Sequence, residues 1–179
     1  MRLFAATPMG LLAGIVYTSI LVIASIGDLR TRRIPNRLVA VLAVLGLAFS
    51  VTQRPIVPGA LHGIEGLAVG LACWLPFYAL GWLGAGDVKL FAAAGAWLGP
   101  MRALEGSLLG ALAGAVLAVM WMLKTQGVRN AIQTLGMAAG SPGLLSTAGS
   151  EKARSVLPYG VAIAFGAICA AWIPGLLLG

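Results

Sequence analysis

The sequence predicts an all-α, polytopic membrane protein with about six transmembrane helices, and three observations predict it. Hydrophobic residues make up 60% of the 179 positions and charged residues 9%, with a mean hydropathy of +0.97. A typical soluble protein carries roughly 25% charged residues, so a water-soluble fold of this size lacks the polar surface it needs. Six apolar spans can be drawn, at about 9–27, 38–51, 61–80, 88–100, 103–123 and 157–178. Finally, the basic residues alternate between the two sets of connecting loops.

That alternation sets the orientation. Arg30, Arg32, Arg33, Arg37, Lys89, Lys124, Arg129, Lys152 and Arg154 fall in one set, and Arg2, Arg54 and Arg102 in the other. The richer side is expected in the cytoplasm, with both termini outside. The formal charge of +7 is thereby explained by loops that meet lipid phosphates, and no nucleic-acid partner is expected.

The first span follows a lone Arg2 and runs to Gly27-Asp28. It is long for a signal-peptide core and has no clear small-x-small cleavage site, so it is expected to remain as a helix. The second is short and is expected to borrow flanking residues, with Asn36 after Pro35 as its N-cap. The third contains His62 and Glu65, and the fifth Glu105. Both glutamates are expected in first helical turns, where the positive end of the dipole favours an anion. His62 has no His, Asp or Cys at ligand spacing, so it reads as an interfacial residue.

The fourth span is the anomaly. At about 13 residues it is about 20 Å long, too short for a hydrocarbon core of about 30 Å. Either the helix begins earlier, through Gly84-Ala85-Gly86, or the glycine-rich turn dips below the headgroups. Residues 124–156 read as a cytoplasmic loop with one short amphipathic helix near Val128–Met137. The whole chain, 1–179, is expected to form a single membrane-embedded domain.

Cys73 and Cys169 lie singly within apolar spans, the pattern of small buried side chains and not of a disulfide or zinc site. Gly66 and Gly70, and Gly106, Gly110 and Gly114, are spaced four apart, which lets helices approach closely. No cofactor and no metal are expected.

Chemistry is expected at the aspartates. The chain has two, Asp28 and Asp87, at helix ends on the same predicted membrane face. Glu151 lies beside Lys152 in the polar loop and reads as solvated. An ionisable residue at the edge of the bilayer is a functional candidate by default. Two close carboxylates resist ionising together, so one stays protonated while the other serves as a base. The base takes a proton from water as that water attacks a peptide carbonyl, and the acid protonates the carbonyl oxygen. Such chemistry needs no metal and no third residue.

Asp28 with Arg33-Ile34-Pro35-Asn36, then Gly84-x-Gly86-Asp87-x-Lys89, then Leu157-Pro158-Tyr159-Gly160 resemble the landmarks of the type IV prepilin peptidases, which are GxGD-type intramembrane aspartic peptidases. The resemblance runs from the first span to the sixth. It implies that Asp28 and Asp87 are the catalytic pair and that a prepilin is the substrate, cut at the cytoplasmic face between its basic leader and its hydrophobic helix. It also implies an inner-membrane location, contact with membrane lipids and a part in type IV pilus assembly. Pro35, Asn36, Gly84, Gly86, Pro158, Tyr159 and Gly160 would shape the site. Lys89 either tunes Asp87 or anchors the loop, and the sequence leaves both open.

Larger family members carry paired CxxC motifs linked to N-methylation, and nothing here corresponds. Methyltransferase activity is therefore not expected, and the compact form resembles the short peptidases of Flp/Tad pili. An archaeal-type preflagellin peptidase is a related reading. One rival reading is a small transporter in which Asp28 and Asp87 bind a cation or relay protons. Another is a non-catalytic pilus-assembly subunit. The oligomeric state and the cleavage sequence are not legible.

Overall fold

In a computed structural model, the structure describes residues 4, 8–31, 34–140 and 159–173. The described residues form six α-helices and no strands: α1 Pro8–Thr31, α2 Asn36–Thr52, α3 Ile56–Ala79, α4 Ala85–Leu98, α5 Pro100–Gly140 and α6 Tyr159–Trp172. They coincide one for one with the six apolar spans. α1, α3 and the Pro100–Met120 part of α5 are each long and apolar enough to cross a membrane, while α2 and α6 are shorter apolar helices. The chain is an all-α, polytopic membrane protein.

α4 explains how a short span can survive in a bilayer. It starts at Ala85 with Gly84 as its N-cap, so the glycine-rich turn is its first turn and the helix does begin early. Between Asp87 and Leu98 every residue except Lys89 is buried. α2, α3, α5 and α6 all pack against it. At about 21 Å it need not match the hydrocarbon thickness, because protein and not lipid surrounds it. α1 packs on α6 and α2. Large apolar side chains point outward around this core, among them Leu11, Ile15 and Val22 on α1 and Leu108, Leu112 and Val116 on α5.

Glycines set the closest helix approaches. A Cβ on Gly66 of α3 would collide with the Gly95 carbonyl oxygen of α4, and one on Gly95 with the Gly66 carbonyl oxygen. A Cβ on Gly166 of α6 would likewise collide with the Gly106 carbonyl oxygen and the Gly110 backbone of α5. Away from the aspartates, Phe4, Tyr17, Phe49, Trp97 and Trp172 form an aromatic cluster around the C-terminal end of α4. There the Trp97 indole N–H donates to the Leu42 carbonyl at 2.8 Å and the Tyr17 hydroxyl to that of Ala167 at 3.1 Å.

Four expectations need correction. Pro35 is the N-cap of α2 and Asn36 its first helical residue, because the fixed φ of Pro35, −62°, already sets the extended entry. Glu65 is exposed in the third turn of α3, since that helix starts at Ile56, upstream of the predicted span. Glu105 is 3% exposed in the second turn of α5, where the charge of Arg102 acts on it. Residues 124–140 continue α5 as one helix of 41 residues, so the predicted loop holds no separate short helix there. The helix carries on through this polar stretch although Gly127 and Gly136 lie inside it. Residues 141–156, the rest of that loop, lie outside the described residues.

Candidate active site

Asp87 is placed by the start of α4. It is the third residue of the helix, and its Oδ2 accepts the N–H of the N-cap residue Gly84 at 3.2 Å. This is half of a capping box, the half a glycine N-cap can make. The positive end of the α4 dipole favours a carboxylate here. Asp87 is 9% exposed, and its Oδ1 is buried with no hydrogen-bond partner among the described residues. A buried acceptor left unmatched costs roughly 1–3 kcal/mol.

Asp28 is placed differently. It lies in the last turn of α1, where the helix dipole disfavours an anion. The start of α6 offsets this: the N–H of Gly160, second residue of that helix, donates to Asp28 Oδ2 at 3.0 Å. Each aspartate is thus held through one oxygen at a helix N-terminus, Asp87 by its own helix and Asp28 by another. Gly160 is fitted closely to this role. A Cβ there would stand 2.7 Å from Asp28 Oδ2 and 3.0 Å from its Cγ.

The two carboxyl groups share one end of the bundle. Asp28 is 9% exposed, as Asp87 is, and its charge is near enough to act on the Asp87 carboxyl. Tyr159, half-buried at the start of α6, is likewise within reach of the Asp87 charge.

The structure brings together Asp28, Gly84, Asp87, Tyr159 and Gly160. Gly86 faces Ile34, which stands 3.4 Å from where its Cβ would be, so the α1–α2 connection lies over the first turn of α4. Pro35, Asn36 and Lys89 are exposed. Pro158 lies outside the described residues. Sequence reasoning missed Ser25, whose hydroxyl donates to the Leu21 carbonyl at 2.8 Å and lies 3.5 Å from the Gly160 carbonyl oxygen. Its position three residues before Asp28, on the same helix face, was the available signal.

Among the described residues no three His, Cys, Asp or Glu side chains group as metal ligands. What the arrangement offers is acid–base chemistry between two carboxyl groups of distant origin in sequence.

Comparison with known proteins gives the family. The model of the type IV leader peptidase family matches residues 15–119, more than half of the chain and a range that contains both aspartates. The chain is 35% identical over 120 residues to a prepilin leader peptidase/N-methyltransferase of Pectobacterium carotovorum subsp. carotovorum, covering 63% of this chain and 42% of that protein. It is 36% identical over 113 residues to one of Xanthomonas campestris pv. campestris, covering 60% and 39%. For one of Neisseria gonorrhoeae the figures are 32% over 117 residues, 60% and 41%. The chain thus spans about two-fifths of the length of these relatives. No solved structure matches. With the family model covering both carboxylates and the glycines that hold Asp87, the chain belongs to the type IV leader peptidase family.

Proposed function

We propose that this protein is a membrane aspartic endopeptidase that removes the leader of type IV prepilins of the Flp/Tad kind. One observation carries the reading. Two buried carboxylates from α1 and α4 meet at one end of the bundle, each with one oxygen held by a backbone N–H. The similarity to proteins named prepilin leader peptidase/N-methyltransferase supports the substrate class. Only the peptidase of those two activities is assigned here.

In this reading Asp28 and Asp87 share the acid and base roles as a coupled pair. The ionised member takes a proton from water as the water oxygen bonds to the peptide carbonyl carbon. The protonated member gives its proton to the carbonyl oxygen, forming a tetrahedral diol. Collapse of the diol breaks the C–N bond, and the amine leaves with a proton returned by the pair. Gly84 and Gly160 fix the two carboxylates by their N–H groups. Gly86 lets the α1–α2 connection lie close over Asp87, and Pro35, Asn36 and Pro158 shape the approaches. Lys89, exposed on α4, anchors the α3–α4 turn at the membrane surface. The whole chain acts as one domain in the inner membrane, with the site on the cytoplasmic face, where the basic loops lie, and with pilus assembly as the process served.

The test is co-expression with a Flp-type prepilin, following leader removal on a gel. Asp28→Asn and Asp87→Asn should each abolish removal while the protein remains inserted. Normal processing by either variant would sink the two-aspartate mechanism. A reporter fused at residue 140 should report the cytoplasm, and a periplasmic report would invert the orientation.

A further inference from the structure

We infer that the cleft between α3, α5 and α6 receives the first apolar side chains that follow the scissile bond, so that an apolar helical segment is seated beside the carboxylate pair. The inference rests on the peptidase reading and names the subsite that reading lacks.

The cleft has a volume of about 230 Å³ and is lined by Trp74, Phe77, Trp82, Leu83 and Tyr159 with small residues of α5. Two of these walls lead directly to the aspartates. Leu83 precedes Gly84, whose N–H holds Asp87, and Tyr159 precedes Gly160, whose N–H holds Asp28. The cleft therefore adjoins the two turns that hold the carboxyl groups.

Its chemistry selects the occupant. No charged side chain lines it, and burying an unpaired charge there would be prohibitive. A basic leader is thereby excluded and an apolar segment admitted. The volume is below the roughly 300–1,000 Å³ of sites for drug-sized ligands and suits one or two side chains. On α5, Ala111, Ala115 and Ala118 recur at helical spacing, so this wall is low and a second helix backbone can come close.

Two experiments decide it. A benzophenone amino acid is placed at Val116, exposed beside the lining residue Ala115, in the Asp87→Asn protein. The protein is mixed in vesicles with a synthetic peptide carrying a lysine-rich leader before an apolar helix, and the adduct is mapped after irradiation. The expected adduct lies in the first turn of the apolar segment, and the same label at Leu12, outward on α1, gives none. An adduct on the leader, only lipid adducts at Val116, adducts at Leu12 alone, or no peptide adduct would each overturn the inference. The readout needs no cleavage. A wild type that forms the complex without cutting the peptide would defeat the peptidase reading and leave the cleft assignment standing. With the cutting enzyme, Ala115→Phe should raise KM at least tenfold with kcat within twofold. An unchanged KM in Ala115→Phe would overturn the assignment.

Discussion

The backbone N–H of Gly160 donates to Asp28 Oδ2 at 3.0 Å, so the last turn of α1 and the first turn of α6 meet on one carboxylate. An acid at the wrong end of its own helix dipole is served by the right end of another. The residue at 160 must also lack a side chain, since a Cβ would stand 2.7 Å from that oxygen.

Gly160→Ala should therefore displace Asp28 without removing any titratable group. A misplacement of about 1 Å can cost about 10²-fold in rate, and leader removal by this variant should fall by that order. Thermal unfolding of the purified protein should change far less than the rate.

The cap on Asp87 can be separated from its chemistry. Asn at 87 still accepts the Gly84 N–H through its amide oxygen, whereas Ala cannot. Both variants should be inactive. Asp87→Ala should be less stable than Asp87→Asn by about 1 kcal/mol, the worth of one net hydrogen bond, as read from denaturant unfolding in detergent.

At the other end of α4, Trp97→Phe removes the bond to the Leu42 carbonyl and keeps an aromatic ring among Phe4, Tyr17 and Phe49. Ten residues, or about 15 Å of helix, separate it from Asp87. A loss of about 1 kcal/mol in stability with unchanged kcat is expected. A large fall in kcat would show that the two ends of α4 are coupled.

Gly66→Ala should be the most disruptive of the glycine changes in the core. Gly66 and Gly95 each place their backbone against the other's carbonyl oxygen, so a methyl group forces α3 from α4. Overpacking of this kind costs typically 1–3 kcal/mol. Unfolding experiments should show that loss, and any fall in activity should follow the folded fraction.

The fold was legible because its signals are local. Apolar length gave the six helices, and the four-residue glycine spacing marked Gly66, Gly106 and Gly110 as places of close approach without saying which helix each one meets. The proposal that Asp28 pairs with Asp87 came from counting charges on each face. Other features depend on three-dimensional neighbours and leave no trace in composition. Nothing about Asp28 announces that its partner is an N–H of α6, because that contact joins residues 132 apart. Glu65 and Glu105 were misassigned to first turns because α3 and α5 begin at Pro55-Ile56 and Pro100, ahead of their most apolar stretches. The aromatic cleft was hidden because Trp74, Phe77, Trp82 and Tyr159 come from three separate segments.

Encasing α4 in protein has a consequence for how this molecule meets different bilayers. Hydrophobic mismatch acts on helices that touch lipid, which tilt as the hydrocarbon layer thins or thickens. α4 presents almost no such surface, so its position is referenced to its neighbouring helices and not to the membrane. The Asp87 at its tip is accordingly mounted on a gauge that the lipid composition does not reset.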